Sequence, residues 1–347
     1  MSLLAAAVAL WGLGVVAGEA PAQTTPEAKA AILSINGALL QADGPQALAG
    51  LRALSPDNLS ETDRAWRTCV ADRLGTPRVA DLPASASFAD RALAAYQSYW
   101  LAASLDPSRR EEIEQQLIQQ LSALLGPDAP TEAGEVEEAV IARIESEGGH
   151  ALGGRTGRLL ELMLWNSQTE KTHEVALPEG PHRVTVFYLD DFASRGWSSF
   201  MTCERSSTGG WAKTEGLYAI VPAYSSLEDE NFEINYLAHE TQHFADYETF
   251  PDLKSWELEY RAKLTELAMA RETGGNIVGR FLRNRSGDPE EAHSYANGKV
   301  IAALMARLGL ADGFDPAALD PAALAQAAEA ELRADTARRK AVGTVPQ

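Results

Sequence analysis

The feature that most constrains the fold of this chain is the pentapeptide His239-Glu240-Thr241-Gln242-His243, which lies in a run of residues with helical apolar spacing. Residues four positions apart on a helix project from one face, so His239 and His243 can bind a single metal ion together. Glu240 lies beside them, where its carboxylate can accept a proton from a water molecule held by that ion. The pattern therefore predicts a helix that carries a metal site and a general base.

The flanking residues are typical of a helix that follows a strand. A β-like stretch over residues 216–221 ends at Pro222, and the acidic residues 228–230 suit the first turn of a helix, where they meet the positive end of its dipole. Pro251 then ends the helical pattern. The alternative is a helix with two core histidines and no metal. Glu240 argues against it, because burying a carboxylate without a partner costs free energy.

A catalytic zinc site needs a third protein ligand and a fourth position that stays open to water. A second helical pattern follows Pro251, and its apolar stripe consists of Trp256, Tyr260, Leu264 and Leu267. Another face carries Glu259, Ala262 and Glu266, and the small Ala262 would let a neighbouring helix come close. We expect Glu259 to be the third ligand, with Glu257 and Glu266 as alternatives. The competing interpretation for each of them is a solvated surface carboxylate.

Further residues are candidates for supporting roles. Asp246 follows His243 by three residues, and we expect it to accept the outer ring N–H of a ligating histidine, which fixes the orientation of the ring. A carboxylate on the helix surface is the alternative. His293 and Tyr295, with Arg261 behind them, are candidate donors to the oxyanion of a tetrahedral intermediate. For these residues the alternative is a helix cap or a surface cluster.

The pattern His239-Glu240-x-x-His243, followed by a glutamate on the next helix, resembles the gluzincin branch of the zincin metallopeptidases. This resemblance implies one zinc ion bound by His239, His243 and Glu259, with Glu240 as the general base. It also implies a peptide or protein substrate held along an edge strand beside the active-site helix, and residues 216–221 would form that strand.

The amino terminus is typical of an exported protein. An apolar run over residues 3–17, followed by small residues at 20–22, predicts a secretory signal over residues 1–22. We therefore expect a periplasmic or secreted product with no stable membrane insertion after cleavage. The alternative is an uncleaved anchor, since no Lys or Arg precedes the apolar run.

The cysteine content and the net charge fit this compartment and limit the partners. Cys69 and Cys203 are the only cysteines, and in an oxidising space one disulfide between them would tie the helical part of the chain to its catalytic part. Two buried free thiols are the alternative. The net charge of −19 disfavours nucleic acid and anionic membrane surfaces as partners.

The periodicities predict a predominantly helical α+β fold. An N-terminal helical domain over residues 23–150 precedes a zincin-like domain over 151–315, with a small sheet and the active-site helix, and then a C-terminal helix and tail over 316–347. Predicted helices of the first domain cover residues 26–41, 44–53, 60–74, 87–103, 107–125 and 131–147. The glycine-rich residues 148–154 read as a linker, and strands are expected at 159–165, 173–177 and 182–189, the last two forming a hairpin.

These patterns together predict an exported zinc-dependent hydrolase, most simply a peptidase. The alternative is an exported binding or scaffold protein in which a structural or degenerate zinc site has no turnover. A structural site would be closed by a fourth protein ligand, and Asp246 or Glu257 are candidates for that position.

Overall fold

The computed structural model describes residues 23–75 and 82–343, so the predicted secretory signal lies outside the described residues. The chain forms two compact units. Unit 1 contains the described residues up to Arg143 together with Gly153–Leu162 and Gly196–Ser206, and unit 2 contains Ile144–Leu152, Met163–Arg195 and the residues from Ser207 onward. The chain therefore passes between the units several times, which differs from the single boundary expected near residue 150.

The secondary structure agrees with a predominantly helical α+β fold. The helices of the first part are α1 (Pro26–Leu40), α2 (Gly44–Ala53), α3 (Glu61–Gly75), α4 (Phe88–Leu105), α5 (Arg110–Leu125), α6 (Ala133–Ser146) and the short α7 (Gly196–Met201). Strands are β1 (His150–Leu152), β2 (Arg155–Thr156), β3 (Leu159–Leu160), β4 (Met163–Leu177), β5 (Gly180–Arg195), β6 (Gly210–Lys213) and β7 (Gly216–Ile220). Helices α1 to α6 lie within a few residues of their predicted ranges.

Local capping explains why these helices begin where the sequence suggests. The side chains of Thr25, Asp43 and Ser87 accept hydrogen bonds from backbone N–H groups of the first turns of α1, α2 and α4. Proline occupies an initial position of α1 and of α2, where its fixed φ suits a helix start and its missing N–H costs nothing. Such signals lie within a few residues of one another, so a single sequence reveals them.

A disulfide between Cys69 of α3 and Cys203, which follows α7, joins two parts of unit 1. The expected pairing is present, but the expectation that it ties the helical part to the catalytic part was wrong. The physical reason is that the segment around Cys203 packs with the helices: the indole Nε1 of Trp66 donates to the carbonyl of Thr202 at 2.9 Å, and Arg73 donates to the carbonyl of Phe200. The bridge therefore stabilises unit 1.

The sheet of unit 2 has five strands in the order β1-β4-β5-β7-β6. Strands β4 and β5 form the expected hairpin, which is longer than predicted, and β5 pairs with β7 in parallel. The prediction that residues 216–221 form the edge strand was wrong, because β6, which precedes β7 across the turn at residues 214–215, pairs antiparallel with the outer side of β7. Gly216 permits the close pairing of β7 with β5, since a Cβ there would clash with the carbonyl oxygen of Thr185 in β5.

The helices of unit 2 are α8 (Glu230–Phe232), α9 (His239–Thr249), α10 (Ser255–Met269), α11 (Gly274–Arg283), α12 (Ala292–Leu308) and α13 (Pro321–Gly343). A π-helical turn, Glu233–Ala238, joins α8 to α9. This continuous helical segment packs on one sheet face through Val184, Val186, Leu217, Ala219, Phe232, Tyr236 and Leu237. Helices α10 to α13 share a second core, so the C-terminal helix is part of unit 2. Among the described residues, no helix is long and apolar enough to cross a bilayer.

Candidate metal centre

Helices α9 and α10 run antiparallel, and polar side chains pair along their contact. The pairs are His239 with Glu266, Gln242 with Thr265 at 2.9 Å, and Asp246 with Arg261 at 2.9 Å. Ala262 of α10 is fully buried, which agrees with the expectation that its small side chain permits a close approach. The register of the two helices therefore places the polar residues of α9 against polar residues of α10.

The two histidines of the pentapeptide and Glu259 converge on one point. Nε2 of His239 lies 3.2 Å from Nε2 of His243, and the carboxylate oxygens of Glu259 lie 3.5 Å from His243 Nε2 and 3.8 Å from His239 Nε2. Ligands that surround one zinc ion tetrahedrally, at about 2.0–2.2 Å from it, lie about 3.3–3.6 Å from one another. The three ligand atoms therefore fit a single ion, and two imidazoles with one carboxylate are a donor set that suits zinc.

Glu266 orients the first histidine. The Nδ1–H of His239 donates to the Glu266 carboxylate, so its Nε2 carries the lone pair and faces the other ligand atoms. Burial is the largest effect and lowers the pKa of His239, but the charge and hydrogen bond of Glu266 and the charge of Glu259 together outweigh it, so the pKa is raised overall. Burial likewise raises the pKa of Glu259, yet hydrogen bonds and charges from His243, His293 and Lys263 hold it well below its usual range. The Glu259 carboxylate is therefore ionised.

Asp246 does not occupy the position that we predicted for it. Instead of a histidine ring, its Oδ1 accepts hydrogen bonds from Arg261 Nε and from Gln242 Nε2, both at 2.9 Å. The reason is the antiparallel register, which carries Asp246 away from the histidine rings and brings Glu266 to His239. Glu266 was an alternative for the third metal ligand, but its carboxylate contacts Nδ1 of His239 instead.

Arg261 is the centre of a buried cluster rather than a donor to substrate. Its side chain is 1% exposed and binds Asp246, Glu179 at 2.7 Å, Asp335 at 3.1 Å and Thr336 at 2.9 Å. These partners come from α9, from the turn of the β4–β5 hairpin and from α13. Arg261 is therefore not available to an oxyanion, although the sequence made it a candidate donor. Its contacts instead hold several elements around α10.

Among the described residues, no fourth side chain of a ligating type joins His239, His243 and Glu259. Glu257 pairs with Arg339 at 2.9 Å and accepts the backbone N–H of Lys254, which is a capping role at the start of α10. Within residues 23–75 and 82–343, the group of histidine, cysteine, aspartate and glutamate side chains at this position contains His239, His243 and Glu259 and no other. Asp246 and Glu257, the candidates for a closing ligand, both lie in other pairs.

A cleft of about 760 Å³ opens in front of the three ligands. Its lining residues are Ala212, Lys213, Thr214, Glu240, His243, Phe244, Tyr247, Glu248, Glu259 and His293. In the described part of the chain, no hydrogen bond or ion pair occupies the Glu240 carboxylate, which lies at the cleft beside His243. Sequence reasoning missed Lys213, Tyr247 and Glu248; the helical spacing of Tyr247 from His243 was the available signal for one of them.

Of the two residues proposed as oxyanion donors, His293 lies at the cleft and Tyr295 does not. His293, in the first turn of α12, lines the cleft, is 75% exposed, and has its Nδ1 2.8 Å from Glu259 Oε2. Tyr295 does not line the cleft, and its ring packs edge-on against Trp256 with 5.2 Å between the ring centres. Residues two apart on a helix point to nearly opposite sides, so one helix start cannot direct both side chains to the cleft.

The geometry of the ligands has a consequence for their charge. With its Nδ1–H bound to Glu266, His239 faces His243 with a lone pair on Nε2, and the two Nε2 atoms are 3.2 Å apart. When His243 also directs an Nε2 lone pair at this point, the two nitrogens are stabilised by a proton or a cation between them. The arrangement is thus suited to bind a cation.

Comparison of the chain with protein-family models, with curated proteins and with solved structures finds no match.

Proposed function

We propose that this chain is an exported zinc-dependent hydrolase of the His-Glu-x-x-His type, with a zincin-like unit 2, and that it cleaves peptide bonds. The observation that carries the proposal is the convergence of His239, His243 and Glu259 at separations that suit one ion. Glu240 lies beside this position in a cleft large enough for part of a peptide chain. Export is supported by the apolar amino terminus and by the disulfide, which persists in oxidising compartments.

The coordination favours a catalytic site over a structural one. Structural zinc sites are usually closed by four protein ligands, whereas catalytic sites keep one position for water or substrate. Among the described residues three side chains converge here, and the cleft reaches two of them, His243 and Glu259. This arrangement supports the enzyme and argues against the alternative of a binding protein with a structural zinc site.

The residues of the chain have separable roles in this mechanism. His239, His243 and Glu259 would hold a zinc ion, which would supply Lewis acidity for a substrate carbonyl and for the attacking water. Glu240 accepts the proton of the attacking water and passes it to the leaving amine. Glu266 holds the His239 ring with its Nε2 directed at the ligand position. His293, at the cleft, donates an N–H to the negative charge that develops on the carbonyl oxygen.

The edge of the sheet supports a peptide or protein as the substrate. Strand β6 is the last strand of the described sheet, and its residues Ala212 and Lys213 line the cleft. An extended peptide can pair with such an edge through backbone hydrogen bonds, which places its side chains alternately toward and away from the cleft. The substrate-holding strand is therefore β6 in this proposal, instead of the strand over 216–221.

The first test measures metal content in the purified mature protein, which begins near Gln23, and in His243→Ala. We expect nearly one zinc per chain by elemental mass spectrometry, and its loss in the variant. Wild-type protein without metal, even after zinc is supplied, would exclude the proposal.

The second test separates a catalyst from a structural zinc protein. In Glu240→Gln we expect zinc to be retained while cleavage of a peptide library falls by at least about a hundredfold, because the general base is lost. Glu248→Gln, which changes another carboxylate at the same cleft, is the matched control and should keep most of the activity. Equal cleavage by wild type and Glu240→Gln would contradict the role of Glu240.

A further inference from the structure

A lysine lies against the third ligand. Lys263 follows Glu259 by one turn of α10, and its Nζ is 3.0 Å from Glu259 Oε2. The residue is 6% exposed, and the ammonium group also lies 5.3 Å from the ring centre of Phe281. Within the described residues, Glu259 is the carboxylate with which Lys263 forms an ion pair. Burying an ammonium group is costly unless it is paired, so the contact with Glu259 is what allows Lys263 to lie here.

The same carboxylate is needed by the metal. Oε2 of Glu259, the atom in contact with Lys263, lies 3.8 Å from Nε2 of His239 and therefore faces the ligand position. A zinc ion and the Lys263 ammonium group are thus competitors for one carboxylate. When both are present, two positive charges lie beside one carboxylate in a region where little water screens them.

We propose that Lys263 is an internal counter-ion of the ligand carboxylate, which keeps Glu259 directed at the two histidines without metal and lowers the affinity of the site for zinc. This inference rests on the proposed zinc site. Its consequence is a site that is assembled before the metal arrives and that exchanges its metal readily, so that occupancy follows the zinc supply. Lys263 positions the Glu259 carboxylate and lowers the zinc affinity of the site, and it does not touch substrate.

The second carboxylate of the site has a weaker counter-ion, which provides an internal comparison. Arg280 lies 3.9 Å from Glu266 Oε2, but half of its side chain is exposed, whereas Lys263 is buried. Water screens the Arg280 charge, so its influence on the metal should be small. The two cations therefore differ in burial and in distance from their carboxylates, and Lys263 alone of the two pairs with the candidate ligand Glu259.

The experiment measures the zinc dissociation constant of the full-length mature protein by competition with a chelator, together with the rate of zinc release. In Lys263→Met, whose side chain has a similar length and suits the contact with Phe281, we expect at least tenfold tighter binding and slower release. Lys263→Gln should shift in the same direction, and it serves if the methionine variant does not fold. Lys263→Arg keeps the charge and should stay near wild type. Arg280→Met is the matched control and should change the constant less than threefold.

The outcomes distinguish this inference from the proposed function. Unchanged or weaker zinc binding in a folded Lys263→Met or Lys263→Gln protein would overturn the counter-ion role while leaving the zinc site in place. Equal tightening in Lys263→Met and Arg280→Met would also overturn it, because it would reflect net charge alone. Failure of wild-type protein to bind zinc, or equal binding by His243→Ala, would instead remove the zinc site and the inference with it.

Discussion

Two polar clusters lie on the same pair of helices, α9 and α10, and they are built in opposite ways. In the cluster around Arg261, one buried cation is surrounded by the carboxylates of Glu179, Asp246 and Asp335, and the positive charge at its centre is part of the chain. In the cluster around His239 and His243, two imidazole nitrogens and the Glu259 carboxylate converge on one point, and Lys263 pairs with that carboxylate. The first cluster is complete without a ligand, whereas the second is suited to a cation from outside.

The two clusters also differ in their access to solvent. Asp246 and Arg261 are each 1% exposed, while the ligand cluster opens on the cleft that contains Glu240 and His293. Burial of charge is therefore a poor guide to function by itself on these helices. The direction of the donors and acceptors, together with a path for substrate, distinguishes the two clusters.

The largest expected effect comes from removing the cation at the centre of the complete cluster. In Arg261→Met, the carboxylates of Glu179, Asp246 and Asp335 lose their shared partner, so we expect the free energy of unfolding to fall by about 3–5 kcal/mol. Urea-induced unfolding measures this loss. Arg109→Met makes the same chemical change at an exposed pair with Glu112 and should leave stability near that of wild type. A loss below about 1 kcal/mol in Arg261→Met would mean that the cluster adds little to the fold.

A buried carboxylate without any cation extends the comparison to unit 1. Glu161 is 2% exposed, and its Oε1 accepts the backbone N–H groups of Leu162 and Trp197 at 3.1 and 2.8 Å. Burial raises the pKa of Glu161 from 4.5 to about 7, against the smaller opposing effect of these hydrogen bonds. Folding thus favours the protonated form, in contrast to Glu259, whose charge is stabilised by neighbouring cations.

The raised pKa predicts how stability depends on pH. The contribution of Glu161 is fully present below pH 4.5 and is lost as the pH rises through about 7, a change of about 3 kcal/mol. In Glu161→Gln this loss is absent, so the difference in unfolding free energy between wild type and variant should shift by that amount between pH 4 and pH 8. The expected sign is that wild type loses stability relative to the variant at high pH. A difference that does not vary with pH would contradict the raised pKa.

Local patterns in the sequence were enough to predict much of this architecture. The helices α1 to α6, the β4–β5 hairpin and the helix that carries His239 and His243 all follow from periodicity, capping residues and proline positions. Glu259 was preferred among three glutamates of α10, and it is the one that the structure groups with both histidines, whereas Glu266, predicted on the same face, contacts the outer nitrogen of His239. These features depend on residues within one or two turns of each other.

The features that could not be predicted depend on contacts between distant segments. Strand β6 has four residues and no clear alternation, so its pairing outside β7 was not visible. The expected contact of Asp246 with a ligating histidine was wrong, because spacing along one helix does not reveal the register of the next. That register depends on how closely α9 and α10 approach, and it selects Glu266 for the histidine and Arg261 for Asp246.

The smallest of the expected effects tests this register directly at the ligand cluster. Glu266→Gln keeps a side chain of nearly the same shape but removes the negative charge that holds the His239 ring, so we expect zinc to bind about 10–100-fold more weakly. Glu257→Gln is the matched control, because Glu257 lies on the same helix but pairs with Arg339, and its zinc affinity should match that of wild type. Asp246→Asn should weaken the fold more than it weakens zinc binding, since Asp246 belongs to the Arg261 cluster. The reverse result, with zinc affinity sensitive to Asp246 and insensitive to Glu266, would restore the arrangement that helical spacing alone had suggested.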